Sequence, residues 1–129
     1  MAQSFIEHVN VTVKDPQATA AMLCDLFGWN VRWEGPALND GYTVHVGGDH
    51  SYLAVYRPAT TTKDSHGDNH DYANGLNHIG VVVEDLDAVE AKVVAHGYEP
   101  VNHADYEPGR RFYFHTEDGV EIEVVSYHD

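Results

Sequence analysis

The chain carries one segment twice. Ile6-Glu7-His8-Val9-Asn10-Val11-Thr12-Val13-Lys14-Asp15 is matched by Leu76-Asn77-His78-Ile79-Gly80-Val81-Val82-Val83-Glu84-Asp85, at an offset of 70 residues. Both copies place a histidine third, run on as an alternating strand and end in an aspartate that can cap a helix. Internal repetition of this kind fixes two copies of one supersecondary unit before any other argument is made.

The likeness continues downstream. Asp15-Pro16 predicts a helix N-cap with proline in the first turn. Ala18, Met22, Leu23, Leu26 and Phe27 then supply an apolar face, and Gly28 a stop. In the second copy Asp85 is the cap, Val89, Val93 and Val94 the apolar positions, and Gly97 the stop. Each helix is followed by room for three strands. These are Asn30–Glu34, Tyr42–Val46 and Tyr52–Tyr56 in the first copy, and Tyr98–Ala104, Arg111–His115 and Val120–Val125 in the second. Turn residues divide them at Gly35-Pro36, Asn39-Asp40-Gly41, Glu107-Pro108-Gly109 and Glu117-Asp118-Gly119.

The expected fold class is therefore α+β, with two tandem βαβββ modules in one domain: module one 1–58, linker 59–73 and module two 74–129. The join is polar and rich in Thr, Asp, Asn and His. One helix covers only one face of a four-stranded sheet. The uncovered face of each module needs a partner, and two curled sheets side by side would leave an open, barrel-like cleft.

Strand alternation sorts the chemistry. Val9, Val11 and Val13 share one face of the first strand, suited to lie under a helix, and His8, Asn10 and Thr12 share the other. Ile79, Val81 and Val83 match the first set, and His78 and Gly80 the second. In the last strand Val120, Ile122 and Val124 lie opposite Glu121, Glu123, Val125 and Tyr127. His8, His78 and Glu123 thus all project away from the helices. Two neutral imidazoles and one carboxylate form the facial donor set that suits Fe2+, Mn2+, Ni2+ or Zn2+, with positions left open for substrate.

With Ile6-Glu7-His8-Val9, Leu76-Asn77-His78-Ile79-Gly80 and Phe112-Tyr113-Phe114…Glu117-Asp118-Gly119-Val120-Glu121-Ile122-Glu123 in this order, the chain resembles the vicinal-oxygen-chelate superfamily, which holds glyoxalases, bleomycin-resistance proteins and dioxygenases. The resemblance covers nearly the whole length. It implies paired βαβββ modules, a divalent metal at His8, His78 and Glu123, a small oxygen-chelating substrate and a homodimer, with His8 supplied by the same chain or by a second copy. It also implies a metal-dependent lyase or isomerase, a dioxygenase or a fosfomycin-type thiol transferase.

One departure bears on the choice among these. Glyoxalase I-like members carry an acidic fourth ligand in the first module, and matching Asp49 to Asp118 puts Ala54 opposite Glu123. Glu123 is then the one ligand available as a base, and Tyr56, two residues beyond Ala54, is placed to line the cleft. Three ligands match the dioxygenases and the fosfomycin enzymes. The former commonly add an acid/base histidine, for which His45, His103 and His115 are candidates. His115 shares a face with Tyr113, and the sequence leaves open which face that is. The latter need cations for a phosphonate, for which Arg110 and Arg111 are available.

Tyr42, Tyr52, Tyr113, Trp29 and Trp33 are candidates for an aromatic wall. His66 and His70 read as solvated linker residues, or as adventitious metal ligands. Cys24, the one cysteine, reads as a small buried hydrophobe.

Charge narrows the partners. Lys and Arg total 7 against 21 Asp and Glu, a formal net charge of −14. That disfavours nucleic acid and anionic membrane surfaces and suits a cationic ligand. The contrasting class within the resemblance is accordingly a non-enzymatic, bleomycin-resistance-type protein that sequesters a cationic drug without a metal. No apolar run approaches the roughly 20 residues of a membrane span, and the N-terminus lacks a signal-peptide pattern. A cytoplasmic location is expected.

Overall fold

Asp15 and Asp85 start their helices by the same contact: each Oδ1 accepts the amide N–H three residues on, from Ala18 at 3.1 Å and from Ala88 at 3.0 Å. The computed structural model describes residues 2–63, 69–106 and 109–127, so His66, Glu107 and Pro108 lie outside the described residues. The chain divides into two compact units, 1–63 and 64–129.

The first unit runs β1 (His8–Thr12), α1 (Pro16–Phe27), β2 (Asn30–Pro36), β3 (Tyr42–Gly47) and β4 (Tyr52–Arg57). The second runs β5 (Ile79–Val82), α2 (Leu86–Ala95), β6 (Val101–Tyr106), β7 (Gly109–His115) and β8 (Glu121–Tyr127). Each is a βαβββ module. The sheet orders are β1-β4-β3-β2 and β5-β8-β7-β6. In both, the first strand pairs in parallel with the last, and the other pairings are antiparallel. A parallel pair needs a long crossover, and the helix with the two middle strands supplies it.

Alternation decides which face packs. In the first unit Val44, Val46, Leu53 and Val55 are buried on the side covered by α1, which lies over β2, β3 and β4 with Ala20, Leu23 and Leu26 inward. In the second, Phe112, Phe114 and Val124 are wholly buried and Ile122 nearly so, and α2 lies over β7 and β8 with Leu86 and Val93 inward. No helix among the described residues is long and apolar enough to cross a membrane.

The expected helix-side residues depart from their pattern at Ala18, which is exposed in the first turn of α1, at Val9 and at Val94. Val9 is 37% exposed, because it sits on edge strand β1 while α1 lies over the other three strands. Val94 is 56% exposed: Leu86 and Val93, seven positions apart, form the narrow face that α2 buries, and Val94 is turned about 100° past it.

The helix stops follow from glycine. Gly28 at φ 70° closes α1 with its N–H on the Cys24 carbonyl. Gly97 at φ 89° closes α2 in a Schellman arrangement, with Tyr98 N–H on Val93 O and Gly97 N–H on Val94 O. That closure holds Tyr98 in the helix end, so β6 begins at Val101 rather than at the expected Tyr98.

Candidate functional site

His78 immediately precedes β5, and Glu123 lies on the neighbouring strand β8, paired with Gly80 on one side and Tyr113 on the other. Because Ile122 and Val124 turn to the helix, Glu123 turns to the opposite face, where its Oε1 stands 3.0 Å from His78 Nε2. The other ring nitrogen of His78 meets Asn77 Oδ1 at 2.6 Å, with a carboxylate oxygen of Glu121 at 3.8 Å. Acceptors thus face both ring nitrogens, Asn77 and Glu121 at Nδ1 and Glu123 at Nε2. Nε2 is thereby turned to a carboxylate oxygen at hydrogen-bond or shared-ligand distance. Such a pair needs a proton or a cation between its members, and two donors at right angles about 2.1 Å from a metal lie about 3.0 Å apart. The donor chemistry of this pair therefore fits a divalent ion.

The surroundings of the pair come from β7 and from the segment before β5. Arg111 Nη1 donates to Glu123 Oε2 at 2.8 Å, with the side chains only 13% and 12% exposed. The guanidinium also stacks 4.8 Å above the Tyr106 ring, and Arg111 Nε is buried without a hydrogen-bond partner. Burial disfavours the charge of Arg111, but its hydrogen bond to Glu123 and neighbouring negative groups outweigh it and hold its pKa above the ordinary value. Tyr113 meets the His78 ring edge-on at 5.6 Å. Its hydroxyl is held protonated more firmly than usual, first by burial and then by the Glu123 charge. Glu121 Oε1 also lies beside two further histidines, with His115 Nε2 at 3.2 Å and His70 Nε2 at 3.3 Å.

The facing of Tyr113 and His115 is thus settled. Phe112 and Phe114 go to the helix, and Arg111, Tyr113 and His115 share the Glu123 face. The two adjacent arginines part company on the same alternation: Arg110 pairs with Asp87 at the start of α2, 2.6 Å away. His103 also lies away from Glu123, with Nε2 on Glu90 of α2 at 3.0 Å. His70, read from sequence as a linker residue, reaches Glu121; nothing in the pattern around it signals that contact, because it belongs to no strand.

The first unit repeats part of this arrangement. His8 Nδ1 meets Glu7 Oε1 at 3.0 Å, so the residue before each repeat histidine engages Nδ1 and leaves Nε2. The His8 ring stacks on Tyr52 at 4.8 Å, and His45 stacks on the same tyrosine at 4.6 Å. Trp33 lies beside His45 at 5.2 Å, and Arg32 stands 4.6 Å from the Tyr52 ring centre. Burial first, and then the nearby His8 and Arg32, push the His45 pKa down.

Ala54 occupies the middle of this face at 2% exposure. Tyr56 is two residues further along and packs closely against Gly41, where an added Cβ would come within 2.5 Å of the tyrosine ring. Of the other aromatic residues singled out, Tyr42 turns its hydroxyl to Glu34 at 2.6 Å, and Trp29 packs on Phe27 at 5.0 Å. Among the described residues no group of three or more His, Cys, Asp or Glu side chains is arranged to hold a metal ion. The His78–Glu123 pair supplies two donors, and His8 belongs to the other unit.

The sequence of residues 5–124 matches the family model of the Glyoxalase/Bleomycin resistance protein/Dioxygenase superfamily. The chain belongs to this superfamily. Among curated proteins none matches it. Solved structures carry the same fold. A glyoxalase family protein from Bacillus cereus superposes with a TM-score of 0.82 at 18% identity, covering 100% of this chain and 99% of that one. A glyoxylase/bleomycin resistance protein/dioxygenase domain from Frankia sp. EAN1pec gives 0.81 at 18% identity, covering 98% and 100%. The fosfomycin resistance protein FosX from Listeria monocytogenes, solved with Mn(II) and sulfate, gives 0.70 at 15% identity, covering 99% and 95%.

Proposed function

We propose that this member of the superfamily is a divalent-metal-dependent enzyme acting on a small substrate that chelates through adjacent oxygens, with His8, His78 and Glu123 as the metal ligands. The observation that carries the reading is Nε2 of His78 facing Glu123 Oε1 at 3.0 Å, with Nδ1 engaged by Asn77. The same use of Nδ1 by Glu7 at His8 and the Mn(II) bound in the FosX neighbour support it. Fe2+, Mn2+, Ni2+ and Zn2+ all suit the donors.

A bound dication supplies Lewis acidity toward a substrate oxygen. The chain's own groups do the rest. Glu123 is both ligand and nearby base. Tyr113, kept protonated on the Glu123 face, is a hydroxyl donor at the rim of the pair. His115, on Glu121, offers a second proton acceptor. Tyr56 lines the matching face of the first unit. Lyase or isomerase, dioxygenase and thiol-transfer outcomes share this platform, and the cavity decides among them. A homodimer is the expected assembly.

One observation favours a second reading. The stacked His8–Tyr52–His45 face with Trp33 beside it, in a chain of net charge −14, suits a planar cationic ligand held without chemistry, as a bleomycin-resistance-type protein holds its drug. Elemental analysis of untagged protein decides between the two, with Glu123→Ala beside the wild type. About one Fe, Mn, Ni or Zn per chain, lost in the variant, is the result expected of the metalloenzyme. No metal in either protein after reconstitution sinks it and leaves the binding protein.

A further inference from the structure

We propose that Arg111 is a positioning residue that keeps Glu123 a one-oxygen ligand, an inference that rests on the metal reading above. Arg111 lies diagonally across from Glu123, since its own register partner on β8 is Val125 and that of Tyr113 is Glu123. The two carboxylate oxygens are thereby divided: Oε2 takes the Arg111 N–H at 2.8 Å and Oε1 faces His78 at 3.0 Å.

A carboxylate with both oxygens free can close on a dication bidentately and fill a position that substrate would otherwise use. Pinning Oε2 prevents that. It also sets a positive charge beside the ligand, which weakens the pull of the donor set on a dication and favours exchange of the remaining positions. Arg111 is held to this task at a cost. Its Nε is buried without a partner, and its guanidinium is fixed from the other side by the Tyr106 ring at 4.8 Å. The planar fork of arginine suits a residue that must both stack and donate in one fixed direction.

A structural role and a positioning role predict opposite signs. If Arg111 merely props up the site, its loss loosens Glu123 and weakens metal binding. If it holds Oε2 away, its loss tightens binding, because a repelling charge leaves and a second oxygen becomes available. The test is a Mn(II) titration of the whole protein by isothermal calorimetry, with the visible spectrum of the Co(II) form as a second readout.

Arg111→Met is expected to bind Mn(II) about tenfold tighter than the wild type. Its Co(II) bands are expected to weaken as the coordination number rises. Arg111→Lys, which keeps the charge and one donor, is expected to restore wild-type affinity and spectrum. Tyr106 is 57% exposed, so Tyr106→Leu keeps the test open if Arg111→Met does not fold. It frees the guanidinium and is expected to move affinity the same way by a smaller factor. Wild-type binding with Arg111→Met unchanged or weaker, or with Tyr106→Leu unchanged or weaker in its place, overturns the positioning role alone. No Mn(II) binding by any of these proteins overturns the metal reading together with it.

Discussion

Ala54 and Glu123 occupy the same register position in their two sheets. Ala54 pairs with Asn10 on β1 and His45 on β3. Glu123 pairs with Gly80 on β5 and Tyr113 on β7. Asn10 and Gly80 each stand two residues beyond a repeat histidine. The asymmetry between the units is therefore one of side chains on a shared backbone, and it can be tested directly. Ala54 is 2% exposed, so Ala54→Glu forces a longer, charged side chain into a buried position between Asn10 and His45. A loss of about 2–4 kcal/mol is expected in metal-free protein, read from urea unfolding. Equal stability of the two proteins would mean that the face around Ala54 opens freely to water.

Asn77 provides a test of how the His78 ring is held. Its Oδ1 lies 2.6 Å from Nδ1, a contact that orients the ring and leaves Nε2 to the Glu123 side. Loss of such an outer partner lowers metal affinity by about 10–100-fold. Asn77→Ala is expected to show that loss in a Mn(II) titration while its melting temperature in metal-free protein stays near wild type, because the pair is exposed. Glu7→Ala should act in the same direction at His8 and more weakly, since Glu7 is 59% exposed. Unchanged affinity in Asn77→Ala would argue that Nδ1 does not set the ring.

Much of this architecture is legible in the sequence because the repeat is carried by residues whose physics is local. Asp15 and Asp85 announce helix starts, Gly28 and Gly97 announce stops, and valines two apart announce which strand face packs. The same alternation brings His78 and Glu123 onto one face, and the structure places them in contact. What surrounds them is not local. Arg110 and Arg111 are neighbours in sequence, and only the register of β7 against β8 assigns the first to Asp87 and the second to Glu123. His70 meets Glu121 from outside any strand, so no periodicity points to it. Val9 and Val94 fit their apolar patterns and are still exposed, because a pattern does not say where the covering helix ends.

The helix caps give a prediction that is independent of any metal. Asp15 and Asp85 each accept one amide hydrogen of the first turn, and replacing such a cap by alanine costs about 1 kcal/mol. Asp15→Ala and Asp85→Ala are each expected to lower the unfolding free energy by that amount. Because the two caps lie in separate units and share no partner, the double variant is expected to lose roughly the sum. Urea unfolding of the four proteins checks both points. A double variant that loses much more than the sum would show that the two units support each other's folding.

The last prediction concerns acid. Glu34 accepts from the Tyr42 hydroxyl at 2.6 Å and from the Gln17 amide at 3.0 Å, joining β2, β3 and α1. These hydrogen bonds, that of Tyr42 first, hold the Glu34 carboxyl below its ordinary range, and the same contact holds the Tyr42 hydroxyl above its own. A carboxylate with a depressed folded pKa contributes stability that is present above its unfolded pKa and lost as pH falls through the folded value. Tyr42→Phe removes the larger cause. The gap in urea midpoint between wild type and Tyr42→Phe is therefore expected to be open at pH 7 and to narrow steadily as pH falls through and below the ordinary carboxylate range. A gap that stays constant to pH 3 would mean that the tyrosine acts through packing alone, and that its hydroxyl does not favour the ionised Glu34.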